Sequence, residues 1–149
     1  MESMPVEFRH YPSIGERGKK IELTIATGPV IIEEGKVLLN MHGDPYWKFP
    51  GGGYIEDLNF ENSARREVLE ELGIDITIKS KPFIMVIKRM HKGVLEYVLL
   101  VHYLAERLGE IKPAKDIEKY KWFPMNKLPK NCAPNIRPVV KHFKKRLSK

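Results

Sequence analysis

The sequence predicts an α/β domain, a mixed sheet with helices on both faces. Three observations lead there. Stretches rich in β-branched residues flank a run at residues 60–72 that has no Gly or Pro and reads as helix. A later strand, residues 94–104, is apolar on both alternating sets: Leu95, Tyr97, Leu99 and Val101 on one, Val98 and Leu100 on the other. That is the pattern of a strand covered on both sides. Finally, Ile136, Val140, Phe143 and Leu147 lie at helical spacing near the C-terminus, a stripe fit to dock on a sheet.

The elements follow in order. Residues 1–20 are polar and irregular, with Pro5, Pro12, Gly15 and Gly18, and read as an N-terminal arm or an added strand. The domain proper is expected over residues 21–149. Residues 21–32 and 37–39 flank the turn at 33–36, a hairpin signal. A loop carrying Trp47, Phe49 and Pro50 leads to three glycines. Asn59 is placed as the N-cap of the helix and Gly73 as its stop, with Val68, Leu69 and Leu72 as its apolar stripe. Residues 76–88 and 94–104 read as a long hairpin interrupted at Pro82, and residues 120–123 as a further short strand. No internal repeat or second-domain linker is visible.

Composition narrows the class. A chain of 149 residues, 42% hydrophobic and 30% charged, is enough for one core and unlike a disordered chain. The single cysteine, Cys132, excludes a disulfide scaffold and a cysteine-based zinc site and suits a reducing compartment. No apolar run reaches the ~20 residues of a membrane helix, and the start lacks a secretory apolar core. A cytoplasmic protein with no membrane partner is expected. The net charge of +7 is unevenly spread. Residues 1–75 hold 8 basic and 14 acidic side chains, whereas residues 76–149 hold 18 basic and 5 acidic. The basic half suits a polyanionic partner, either a phosphorylated small molecule or RNA, or is simply a solvated face.

The acidic half has its own logic. On the helix, Glu67, Glu70 and Glu71 fall at i, i+3 and i+4 and share one face. Like charges so spaced repel by about 0.2–0.5 kcal/mol per pair when exposed. A hard divalent cation converts the repulsion into coordination, because Mg²⁺ takes oxygen ligands and shares them with substrate phosphates. A glycine-rich loop before such a helix brings backbone groups close to phosphate and metal. A solvated acidic face is the competing reading.

From Gly52 to Ile74 the chain resembles the box of the Nudix hydrolase superfamily, Gly-x5-Glu-x7-Arg-Glu-apolar-x-Glu-Glu-x-Gly-apolar. Gly52, Arg66, Glu67, Val68, Glu70, Glu71, Gly73 and Ile74 match at that spacing. Trp47 to Gly51 looks like the family's approach to the box, and Trp122 to Pro129 like its late strand and turn. The resemblance then spans most of residues 21–147. One position departs: Leu58 stands where the box has its first Glu. Either Glu56 or Asp57 stands in for it, or the group is lost.

The resemblance implies a Nudix-type α/β/α sandwich and a hydrolase that cuts the pyrophosphate of a nucleoside diphosphate linked to another group. It implies Mg²⁺ as cofactor, with Mn²⁺ as an alternative, held by Glu67, Glu70, Glu71 and the Gly51 carbonyl. Arg66 would orient Glu67. The general base is implied to be Glu67 or an acid on a later loop, where Asp116 is the first choice and Glu118 the second. Mid-strand Glu96 is a more distant candidate. The partner is then a small phosphorylated nucleotide, whose base Tyr46, Trp47 or Phe83 would stack. Residues 86–94 contain neither the Pro nor the Tyr that marks some subfamilies, so neither an ADP-ribose nor a dinucleoside-polyphosphate assignment gains support. Lys88, Arg89 and Lys92 are phosphate contacts or solvated, and His42 and His91 read as loop or surface residues. Two alternatives stay open: a Nudix-fold nucleotide- or RNA-binding module with weak or no catalysis, and an RNA 5′-end pyrophosphohydrolase. The oligomeric state is left open.

Overall fold

Strand β1 (Ile21–Glu33) is the spine of the molecule, and the sheet grows from both of its edges. The computed structural model describes residues 21–53 and 59–148. The expected N-terminal arm lies outside them, as do Glu56, Asp57 and Leu58. On one edge β1 runs parallel to β6 (Val94–Leu108), in register from Ile21↔Leu95 to Ile31↔Ala105. On the other edge its partner changes. The two-residue β3 (Gly52–Gly53) pairs with Ala26 and Thr27, and β2 (Lys36–Met41) pairs only at Ile32 and Glu33. Between these pairings β2 diverges from β1 toward β7 (Lys119–Pro124), and a cleft opens there. Strands β4 (Asp75–Ile78) and β5 (Phe83–His91) pair antiparallel with successive parts of β6.

Side chains alternate across a strand, so consecutive residues enter different cores. Val30, Val37, Leu39 and Leu104 pack with Val139, Val140 and Phe143 of α2 (Ile136–Leu147). Their neighbours Ile31, Leu38 and Ala105 pack with Val68 and Leu72 of α1 (Phe60–Leu72). The helices therefore cover opposite faces, as the doubly apolar β6 requires.

Helix α1 has the bounds and caps that the sequence predicts. The Asn59 side chain accepts from the Asn62 N–H at 2.8 Å, and Gly73 adopts φ +65°, donating to the Leu69 carbonyl at 3.0 Å. Such an N-cap contributes about 1 kcal/mol. Two apolar assignments are corrected. Leu69 is 56% exposed, because the buried row steps by four through Ala64, Val68 and Leu72 and Leu69 lies a helical step to one side. Leu147 is 50% exposed, in the last turn of α2, beyond the buried Ile136, Val139, Val140 and Phe143. No helix among the described residues is long and apolar enough to cross a membrane.

Candidate active site

The cleft, about 280 Å³, is lined at one end by Gly51, Gly52, Gly53, Glu71 and His42. Farther along lie Thr24, Ala26, Val98, Leu100, Ile87 and Arg89 from the sheet. The 44–50 loop supplies one wall and residues 133–135 another. These walls are tied together: Trp47 N–H donates to Asn131 O and Ala133 N–H to Trp47 O, both at 2.9 Å.

Glycine geometry brings the loop onto the helix. A Cβ on Gly51 would stand 2.2 Å from the Thr27 carbonyl oxygen, and one on Gly52 would stand 2.6–2.8 Å from the Glu67 carboxylate. The close approach lets Gly51 N–H donate to Glu71 Oε2 at 2.7 Å. Arg66 Nη2 lies 3.0 Å from Glu67 Oε1 and also donates to Gly53 O, while its Nη1 donates to Glu70 Oε2 at 3.2 Å. Arg66 thus ties Glu67 and Glu70 of α1 to the Gly53 carbonyl of the loop.

Glu71 is buried, so the acidic face is not wholly solvated. Burial pushes its carboxyl up to about 8, reinforced by the charges of Glu67 and Asp116 against the opposing pull of Gly51 N–H and Lys48. The last turn of α1 carries no basic residue, although the helix C-terminus is itself the negative end of the dipole. Arg66 pairs with Glu67 and Glu70, whereas Glu71 has only the pull of Gly51 N–H and Lys48 against its burial, so this end of the cleft is rich in carboxyl groups with one of them held protonated. The all-oxygen donors of Glu67, Glu70, Glu71 and the Gly51 carbonyl suit a hard divalent cation. Their present arrangement is not a finished cage: among the described residues no three His, Cys, Asp or Glu side chains converge as a metal-binding group.

Asp116 reaches this end because of the helix terminus. The last carbonyls of a helix lack intrahelical partners. Here Leu72 O accepts from Lys112 N–H at 2.7 Å and Glu71 O from Ala114 N–H at 2.8 Å. The loop so pinned sets Asp116 Oδ2 3.0 Å from His42 Nε2, and His42 Nδ1 lies 3.7 Å from Glu71 Oε1. Glu118 is exposed, and its backbone N–H donates to Met41 O at 3.1 Å. His42 is the loop residue that the sequence suggests, but it is not isolated: it pairs with Asp116 and lies beside Glu71. The available signal was position: His42 directly follows β2, whose Leu38 packs with α1.

The three aromatic candidates separate. Tyr46 lines the cleft. Trp47 does not: it is buried in the α2-side core, edge-on to Phe123 with ring centroids 4.8 Å apart. Phe83 packs against the same core and stacks on His142 at 4.1 Å, away from the cleft lining. Glu96 is buried and paired with Arg89, far along β6 from the Glu71 end.

Polar groups that the sequence did not single out complete the cleft. Asn40 lines the cleft, is 1% exposed, and its buried Nδ2 has no hydrogen-bond partner among the described residues. His102 is buried, with Nδ1 3.1 Å from Gly28 O and Nε2 3.0 Å from Asn135 Nδ2. A carbonyl only accepts, so Nδ1 carries the proton and Nε2 accepts from the amide. Burial pushes His102 down to about 4, against the Gly28 bond that favours the charged form. The unfolded imidazole titrates near 6.5. Below that pH the unfolded chain binds a proton the folded chain lacks, so stability present above pH 6.5 is lost as pH falls toward 4. Urea unfolding should show an acid loss of about 3 kcal/mol from this group, and His102→Gln should flatten that slope between pH 7 and 4.

The NUDIX domain profile matches residues 23–143. Among solved structures, a NUDIX hydrolase from Nitrosomonas europaea superposes with TM-score 0.71 at 18% identity, covering 83% of this chain and 90% of that one. A MutT NUDIX hydrolase from Burkholderia pseudomallei gives TM-score 0.60 at 23% identity, covering 80% and 97%. A C. elegans Ap4A hydrolase gives TM-score 0.66 at 20% identity, covering 84% and 98%. No curated protein matches. With the profile covering most of the domain, this chain belongs to the Nudix hydrolase family.

Proposed function

We propose that this protein is a Mg²⁺-dependent pyrophosphohydrolase, with Mn²⁺ able to substitute, acting on a nucleoside diphosphate linked to another group. The observation that carries this reading is Glu71, buried at the cleft end among Glu67 and Asp116 with no basic residue in its helical turn. Glu67, Glu70, Glu71 and the Gly51 carbonyl would hold the cation, which supplies charge neutralisation on the phosphates and an acidified water. Arg66 orients Glu67 and Glu70. Asn40 Nδ2 offers a hydrogen bond to a substrate oxygen. Asp116, steered by His42, accepts the proton of the attacking water. Likeness to an Ap4A hydrolase and to an ADP-ribose pyrophosphatase from Streptococcus suis keeps nucleotides with a bridging phosphate chain first among substrates. The single cysteine fits a cytoplasmic setting.

A metal-activated screen of nucleoside triphosphates, nucleotide sugars, dinucleoside polyphosphates and capped RNA tests the proposal. Hydrolysis of one class only with Mg²⁺ or Mn²⁺ present is expected; no turnover of any class would overturn it. Within the active class, Asp116→Asn should lower kcat by about tenfold or more and Glu118→Gln by less than about threefold. The reverse order would move the base to Glu118.

A second reading rests on the basic face. From Lys119 to the C-terminus there are ten Lys or Arg and no acid, and Lys141, Lys144 and Lys145 are exposed on α2. An RNA 5′-end substrate would use that face, and the slope of RNA binding against salt would then be steep.

A further inference from the structure

Beyond the apolar floor of Val98, Leu100 and Ile87, the cleft wall formed by Thr24 and Arg89 is backed by a buried charged group. Glu96 on β6 is 5% exposed, and both its oxygens are engaged. Oε1 accepts from Arg89 Nε at 2.5 Å, and Oε2 accepts from Thr24 Oγ1 at 2.6 Å. Arg89 is the cross-strand partner of Glu96, and both Arg89 and Thr24 line the cleft. Thr24 stands three residues from Thr27, the partner of Gly52. At about 3.3 Å per residue that is roughly 10 Å along β1 from the carboxylate end, about the length of a sugar and its base.

Stability does not account for this pair. Taking the Glu96 carboxylate out of water costs about as much as its attraction to Arg89 returns, and an aliphatic side chain of similar volume is commonly as stable. Residue 96 follows the same face as Val98 and Leu100, where an aliphatic side chain would extend the floor. What the pair achieves is orientation. Arg89 is half exposed, yet its planar head is pinned through Nε, and Nε is its one hydrogen-bonding atom among the described residues. The Nη1/Nη2 edge is a rigid fork of donors that matches paired acceptors.

We propose that Arg89 is a substrate-binding residue, positioned by Glu96 and Thr24, whose Nη1/Nη2 edge grips a pair of hydrogen-bond acceptors on the part of the substrate farthest from the scissile pyrophosphate. The inference rests on the hydrolase reading and adds a second pole to that site. Two sources offer such a pair: the O6/N7 edge of an oxo-purine, or the oxygens of a terminal phosphate or carboxylate. Asp44 on the opposite wall is ionised below the usual carboxylate range by Lys48, with a lesser pull from Arg89. A second negative group would be held against it, which favours the uncharged base edge.

The test measures binding as well as turnover. Dissociation constants of methylene-bridged, non-hydrolysable nucleotides and steady-state constants for their hydrolysable counterparts are compared in the parent, Arg89→Ala, Arg89→Lys and Glu96→Gln. One arm pairs guanine with adenine nucleotides; the other pairs charged with uncharged terminal groups. Arg89→Ala should raise Kd and KM by about tenfold, more than it lowers kcat. Arg89→Lys should not restore them, because an ammonium lacks the fork. Glu96→Gln should fall between at an unchanged melting temperature. A penalty confined to guanine nucleotides identifies the base edge, and one confined to charged terminal groups identifies the anion. Hydrolysis with Kd and KM unchanged in Arg89→Ala overturns the inference alone. Arg89-dependent binding without turnover overturns only the hydrolase reading, and failure of the parent to bind any of the nucleotides overturns both.

Discussion

Glu71→Gln should lower metal-dependent hydrolysis by at least about a hundredfold, because neutralising phosphate charge is a several-kcal/mol effect and each ~1.4 kcal/mol is tenfold in rate. The same substitution should not weaken the metal-free fold. Glutamine keeps the size and an acceptor for Gly51 N–H, and it replaces a buried carboxyl whose titration is pushed up to about 8. The sign is definite. The folded carboxyl holds its proton up to about pH 8, whereas the unfolded one releases it near 4.3. Its contribution to stability is therefore full below pH 4.3 and is lost as pH rises through 8. In EDTA the parent should melt at progressively lower temperature between pH 5 and 8.5, and Glu71→Gln should melt higher than the parent at the alkaline end. With Mg²⁺ added the order should reverse, since a ligand of the folded state stabilises only a protein that binds it. A Glu71→Gln variant with parental turnover would remove the carboxylate cluster from the chemistry.

The second large effect separates two adjacent glycines. Gly51→Ala places a methyl 2.2 Å from the Thr27 carbonyl oxygen and 2.8 Å from Gly28 Cα, both backbone, at φ +149°. Neither neighbour can retreat without parting the loop from β1, so melting temperature and hydrolysis should both fall, the fold by about 2 kcal/mol or more. Gly52→Ala meets only the Glu67 carboxylate, at 2.6–2.8 Å. That is the end of a flexible side chain, and it swings aside at little cost to the fold. Gly52→Ala should therefore melt within a few degrees of the parent yet lose about tenfold or more in turnover, because Glu67 leaves the position Arg66 holds it in. Equal melting temperatures for both variants would contradict the geometry of the loop.

Much of this was legible in the sequence where a local rule acts alone. The bounds of α1 followed from Asn59 and Gly73, each of which performs the cap that its chemistry suits. The doubly apolar β6 placed helices on both faces. The spacing of Glu67, Glu70 and Glu71 announced the acidic end of the cleft. What stayed hidden depends on where strands part. Trp47 reads as a loop aromatic, yet the bridge from its backbone to residues 131–133 turns its ring into the core. His42 looks isolated along the chain because its partners, Glu71 and Asp116, come from α1 and from a loop pinned to the end of α1. Leu69 looks like stripe because it sits next to Val68, but the sheet meets only the row that steps by four. Arg89 and Glu96 are seven residues apart with a turn between them, and only their register makes them a pair.

The most direct test of the central claim is hydrolysis of the best nucleotide by the parent protein in EDTA and with Mg²⁺ restored, with melting temperature read in the same samples. A divalent cation held at Glu67, Glu70 and Glu71 predicts turnover only with Mg²⁺ and a melting temperature that rises with it, both lost in Glu71→Gln. Turnover at the same rate in EDTA, or a melting temperature that Mg²⁺ raises equally in the parent and in Glu71→Gln, would contradict it.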